Sequence, residues 1–249
     1  EYGRVSFIFA YFVLFNVVLA YGMETTFFRF FNKEESQNKV TSTSAISLII
    51  SSFALLGFSF LFRNQISSLI NIDLKYLDLI FIILLLDALV IIPFAWLRAT
   101  ARPMRYAILK IVNVAVNLGF NVFLLLYLKD LAEGNSFFNS IYKHDFEISY
   151  IFISNLIASA LTLLLLLSFY TKINFKFDAV LWKKMMLYAM PVLIAGIAYS
   201  VNETFDRILL EKLLPADIAE EQIGMYSACY KLALFMTLFA TAFRLGIEP

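Results

Sequence analysis

Seven apolar runs set the limits on what this chain can become. Each is close to the roughly 20 residues that a helix needs to cross the hydrocarbon of a bilayer. They cover about residues 5–28, 42–62, 76–97, 106–128, 148–170, 185–212 and 223–244. In lipid every backbone N–H and C=O must find its partner inside the protein, which leaves helices or a closed barrel. The 27 Phe and 13 Tyr do not alternate along short strands as a barrel would require. Composition agrees, at 61% hydrophobic and 16% charged, against about 45–50% and 25% in an average soluble domain. The fold class is therefore all-α, a polytopic helical membrane protein.

The connections carry an orientation signal, because lysine and arginine collect in short cytoplasmic loops. One alternate set of connections holds ten: Arg29, Lys33, Lys39, Arg98, Arg102, Arg105, Lys172, Lys176, Lys183 and Lys184. The other set holds five: Arg63, Lys75, Lys129, Lys143 and Lys212. The first set is expected in the cytoplasm. A reporter fused after Ser36 should then behave as cytoplasmic and one after Asn135 as external. The same side for both would break the span count. The segment 63–75 is amphipathic, 129–147 is expected to be the longest polar connection, and 171–184 links the fifth span to the sixth.

Several function classes drop out. Cys229 is the only cysteine and His144 the only histidine. A disulfide within the chain, a cysteine-rich metal site or a histidine triad is therefore not expected. No phosphate-binding glycine loop, zinc-protease helix or nucleophile elbow occurs, and no sizeable polar loop holds paired carboxylates. No catalytic residue, metal or cofactor is expected, and a net charge of +1 gives no reason for a nucleic-acid partner. The chain begins and ends on apolar segments, so a piece of a longer transporter is expected. One internal similarity stands out: Tyr2-Gly3-x-x-Ser6 opens the first span and Ile223-Gly224-x-x-Ser227 opens the seventh.

Ionisable groups inside spans are costly, so by default they face a bundle interior or a cavity. On the fourth span Tyr106, Lys110, Asn113, Asn117 and Asn121 form one stripe. Interhelical hydrogen bonding and the lining of a cavity both account for it. Asp87 lies mid-span in the third, on the face of Arg98, about 16 Å along the axis. It either couples transport to a proton or Na⁺ or pairs with a basic side chain such as Lys110. Glu24 lies inside the first apolar run, whereas Arg29 reads as an interfacial anchor. In the sixth span Gly196, Tyr199, Asn202, Glu203, Asp206 and Arg207 share one side, and Ile197, Val201, Phe205, Ile208 and Leu209 the other. Glu203 and Arg207 are spaced for pairing along the helix. Pro191 and Gly196 interrupt this span. Lys231 lies about 12 Å into the seventh, placed to meet an anionic cargo.

Four groups of residues, in order along the whole chain, resemble a known family. They are Tyr2-Gly3 with Gly22-Met23-Glu24-Thr25 and Phe28-Arg29-Phe30; Pro93-Phe94-Ala95-Trp96-Leu97-Arg98-Ala99; Tyr188-Ala189-Met190-Pro191 with Asn202-Glu203 and Asp206-Arg207; and Ile223-Gly224-Met225-Tyr226-Ser227 with Tyr230-Lys231-Leu232. The chain is similar to the polysaccharide-unit flippases of the multidrug, oligosaccharidyl-lipid and polysaccharide exporter superfamily. That resemblance implies a two-lobe transporter of fourteen helices, of which this chain holds the second through the eighth. It implies an N-terminal lobe over 1–170, a cytoplasmic linker at 171–184 and the start of the C-terminal lobe at 185–249. It further implies flipping of sugar units on undecaprenyl pyrophosphate across a bacterial inner membrane for surface polysaccharide or lipopolysaccharide, with polymerase machinery as a further partner.

For a lipid-linked oligosaccharide, whose pyrophosphate and sugars cannot cross hydrocarbon, Lys110, Asn113, Asn117, Arg207 and Lys231 supply suitable donors. Asp87, Glu24 and Glu203 are the candidates for ion coupling, and they keep a cation-coupled drug exporter of the same superfamily in view. A peptidoglycan-precursor flippase fits the residue types as well. A membrane glycosyltransferase or polymerase fits less, since 129–147 lacks a cluster of carboxylates or arginines.

Overall fold

The computed structural model describes residues 2–34, 36–134, 142 and 146–247, and all regular structure among them is helical. In chain order the helices are α1 (Tyr2–Ala20), α2 (Met23–Phe31), α3 (Gln37–Leu61), α4 (Arg63–Ile70), α5 (Leu74–Ala99), α6 (Pro103–Val122), α7 (Leu128–Gly134), α8 (Glu147–Tyr170), α9 (Ala179–Leu213) and α10 (Ala216–Ile247). Six described spans are long and apolar enough to cross a membrane: Tyr2–Phe31, Gln37–Leu61, Leu74–Ala99, Pro103–Glu133, Glu147–Tyr170 and Ala179–Leu213. The seventh expected span falls within α10, part of whose side chains lie outside the described residues. His144 and Lys143 also lie outside them. The chain separates into two compact units, one of residues 15–197 and one of residues 1–14 with 198–249.

In the larger unit α5 is the hub, packed against α2, α3, α4, α6 and α8. Apart from Lys75, Asp78, Asp87 and Arg98 its sequence is apolar on every side, and most side chains buried between Tyr76 and Leu97 are apolar. A helix apolar all round belongs at the centre of a bundle. Close approach of the neighbours uses small residues, as expected where lipid is as apolar as leucine and shape and hydrogen bonds drive association. Thr41, Ser42, Thr43, Ser44, Ala45 and Ser47 of α3 are all buried. Their hydroxyls are not left bare. Ser44 Oγ donates to the Val40 carbonyl at 2.7 Å and Ser42 Oγ to that of Asn174 at 2.6 Å. Ser47 Oγ meets the Tyr21 hydroxyl at 2.8 Å and accepts from Trp182 Nε1 at 2.8 Å. The Asp178 N–H donates to Thr43 Oγ1 at 3.2 Å, while its carboxylate caps α9 through the N–H groups of Val180 and Leu181, each at 3.0 Å. The expected linker is thus partly helical, because α9 begins at Ala179.

The first apolar run is two helices, not one. Gly22 takes a left-handed backbone, φ 67°, between α1 and α2. A Cβ there would lie 2.9 Å from the Ala189 carbonyl oxygen, so glycine serves both the turn and the close approach to α9. Beyond it Met23, Phe27 and Phe31 of α2 share a buried cluster with Leu181 and Met185 of α9.

The segment from Lys129, expected as a polar connection, is helical at its start. After α6 a single wider turn, Phe123–Tyr127, inserts one looser helical step, and α7 continues to Gly134. Leu131, Ala132 and Glu133 are good helix formers. The amphipathic segment after the second span does form a short helix, α4.

In the smaller unit the first glycine of each repeated motif faces the other. A Cβ on Gly224 would lie 3.4 Å from the Gly3 nitrogen, and one on Gly3 would run into the Glu220 carbonyl oxygen. The α9 segment in this unit differs from its expected division into two faces. Its buried line is Ser200, Thr204 and Ile208, of which only Ile208 belongs to the expected apolar side. Thr204 Oγ1 donates to the Ser200 carbonyl at 2.7 Å, so the Thr204 hydroxyl buries with a partner on its own helix.

Candidate functional site

The larger unit encloses a polar cavity of about 320 Å³. One face of α5 supplies Asp87, Val90, Ile91, Phe94 and Arg98, at the three- and four-residue steps that keep side chains on one side of a helix. By the same rule α6 contributes Tyr106, Lys110 and Asn113, and α8 contributes Asn155, Ser159 and Thr162. Asn16 of α1 and Glu24 of α2 complete the lining.

Its charges are two acids and two bases, each held by neighbours. Arg98 forms an ion pair with Glu24, and both side chains keep access to the cavity, 36% and 47% exposed. The Arg98 guanidinium also lies over the rings of Phe28 and Tyr106, 4.8 and 5.1 Å from their centroids. Lys110 Nζ stands 4.5 Å from the centroid of Phe94, whose ring meets Tyr106 edge-on. Asp87 Oδ1 accepts a hydrogen bond from Ser159 Oγ at 2.7 Å, and Lys110 lines the same cavity. Asn113 Nδ2 donates to Thr162 Oγ1 at 2.9 Å. The aromatic rings steer both cations without neutralising them. Arg98 offers the planar fork that suits phosphate, Lys110 a compact charge, and the asparagines suit hydroxyl-rich groups.

Of the residues expected from the sequence, Lys110, Asn113, Asp87 and Glu24 meet in this cavity. Asn117 instead accepts from Asn121 Nδ2 at 2.5 Å along the same helix. Arg207, Glu203 and Lys231 belong to the smaller unit, where Arg207 and Glu203 form a polar cluster with Tyr230. Arg207 Nη1 donates to the Glu203 carbonyl at 2.6 Å, and its guanidinium lies 4.6 Å from the centroid of Tyr230. The Glu203 carboxylate takes the Tyr230 hydroxyl at 2.6 Å rather than the Arg207 side chain. Asp206 holds the Tyr226 hydroxyl. Lys231 Nζ stands 4.8 Å from the centroid of Tyr2. Arg29, expected at an interface, is exposed and covers the Tyr188 ring at 4.1 Å.

Sequence reasoning missed Asn16, Asn155, Ser159 and Thr162, and it treated Arg98 chiefly as part of a basic turn. The spacing of Asn155, Ser159 and Thr162 is a helical stripe legible in the fifth span. Nothing in the sequence points to Asn16 as a lining residue. Among the described residues, no three of His, Cys, Asp and Glu come together as a metal site would need.

Fold and site together define a multi-pass helical membrane protein with a mixed-charge polar cavity inside its bundle. The model of the polysaccharide biosynthesis protein family matches residues 1–243. The chain belongs to that family, and with it to polysaccharide biosynthesis or transport. No curated protein and no solved structure matches the chain.

Proposed function

We propose that this chain is part of a flippase that carries undecaprenyl-pyrophosphate-linked sugar units from the cytoplasmic to the outer leaflet of a bacterial inner membrane. The observation that carries the reading is the cavity, where Arg98 and Lys110 stand beside amides and hydroxyls in an otherwise apolar bundle. A pyrophosphate head needs cationic donors and a sugar needs neutral ones, whereas the polyprenyl tail can stay in lipid. The complete protein acts by alternating access between two lobes, of which this chain holds most of the first, 1–170, and the start of the second, 185–249, joined through 171–184; the chain performs no catalysis of its own. The product feeds polysaccharide or lipopolysaccharide polymerisation.

A second reading has its own support. Asp87, bonded to Ser159 and beside Asn155, offers oxygen ligands at mid-span, as ion coupling would require. One experiment addresses both. The complete protein in proteoliposomes, with a fluorescent isoprenyl-diphosphate saccharide, should flip the lipid, and Lys110→Ala should slow it about tenfold. Asp87→Asn should leave flipping intact but abolish its response to a proton or Na⁺ gradient if Asp87 couples. Lower protein level with unchanged gradient response identifies Asp87 as a structural partner. Failure of the wild type to flip the saccharide removes the flippase reading.

A further inference from the structure

A second cavity, of about 250 Å³, lies on the opposite side of α5 from the polar one, where α5 ends, α6 begins and α8 ends. Helical periodicity divides the two: Phe94 and Arg98 face the polar cavity, while Pro93, Trp96 and Leu97 line this groove. On α6, likewise, Tyr106 and Lys110 face one and Arg105, Ile108 and Leu109 the other.

The two differ in charge. Arg102, Arg105 and Lys172 line the groove, and none of its lining residues is acidic. The Arg102 guanidinium lies 5.1 Å from the centroid of Trp96, which meets Phe169 edge-on. The rest of the wall is largely aliphatic and opens outward, with Ile108 54% exposed. Ile111, Val114 and Leu118 are also exposed and continue an apolar surface along α6. These basic residues come from two of the connections richest in lysine and arginine, so the groove sits at the expected cytoplasmic face.

We propose that this groove holds the head of an anionic phospholipid of the surrounding bilayer. Three cations ring the phosphate, Trp96 and Phe169 sit at headgroup level, and the acyl chains lie along the exposed face of α6. A soluble anion would gain nothing from the apolar wall, and a zwitterionic lipid would gain little from three uncompensated cations. Basic recesses between membrane helices are suited to anionic heads for this reason. The site is separate from the polar cavity and does not depend on what that cavity carries.

The test is native mass spectrometry of the complete protein taken from nanodiscs of equal phosphatidylglycerol and phosphatidylethanolamine. Phosphatidylglycerol should be retained preferentially. Each charge removed by Arg102→Gln, Arg105→Gln or Lys172→Gln should weaken retention about fivefold, and all three together about a hundredfold. Lys33→Gln with Lys39→Gln removes basic residues of the same expected face outside the groove and should change nothing. Ile108→Trp, at an exposed position, should narrow the groove and lower retention as well. Equal retention of the two lipids, unchanged retention in the triple variant, or an equal loss in the control overturns the proposal. So does displacement by millimolar inorganic phosphate, which marks a soluble-anion site. Displacement by an equimolar isoprenyl diphosphate marks a cargo site and overturns it too.

Discussion

Arg98→Ala should lower transport about thirtyfold when corrected for protein level. A hydrogen bond to a charged group contributes about 1.5–3 kcal/mol. The lower half of that range applies here, because both side chains of the Arg98–Glu24 pair remain more than a third exposed. About 2 kcal/mol corresponds to the thirtyfold change. The variant also leaves Glu24 and Asp87 against Lys110 alone, a cavity less suited to a phosphate. Arg98→Lys keeps the charge but loses the fork, and should fall between wild type and Arg98→Ala. The double variant Glu24→Arg with Arg98→Glu restores a pair in reverse. It should recover protein level but not transport if Arg98 serves the cargo. Full recovery of transport would make the pair a brace between α2 and α5 and nothing more.

Gly22→Val should bring the protein in the membrane close to zero. A left-handed backbone costs an L-residue about 1–2 kcal/mol, more for a β-branched one, and forced overpacking adds about 1–3 kcal/mol. Both apply at Gly22, where the added Cβ meets the Ala189 carbonyl and the Val192 side chain at 2.9 Å. A carbonyl in a helix cannot turn aside as a flexible side chain does. The combined penalty of about 2–5 kcal/mol is a large part of the total stability of a typical domain, about 5–15 kcal/mol. Gly119→Ala is the contrast. Nothing lies within 4 Å of the Cβ it would add, and alanine is the better helix former by up to about 1 kcal/mol. Membrane protein level and thermal melting in detergent would separate the two variants. Wild-type behaviour of Gly22→Val would contradict the close approach of α2 and α9.

The apolar runs alone determined that this chain is a helical membrane protein, because hydrocarbon tolerates no unpaired backbone and length sets the span. The same reasoning found Lys110, Asn113, Asp87 and Glu24, since a charge or amide in a span must have a polar place to go. Which of these places was one and the same, the sequence could not tell. Asp87 and Ser159 are 72 positions apart, and only the seating of α8 against α5 joins them. Arg98 looked like a loop charge until α2 brought Glu24 to it. Asn117 shared a stripe with Lys110, yet its partner is Asn121 on its own helix. Ile208 of α9 falls on the same apolar side as the exposed Phe205, and periodicity, which marks two sides of a helix, does not say which residues meet protein. Its neighbours in space decided that. So did those of Gly22, whose left-handed turn depends on a carbonyl 167 positions further along the chain. Local chemistry sets what a segment needs, and only tertiary contact decides what satisfies it.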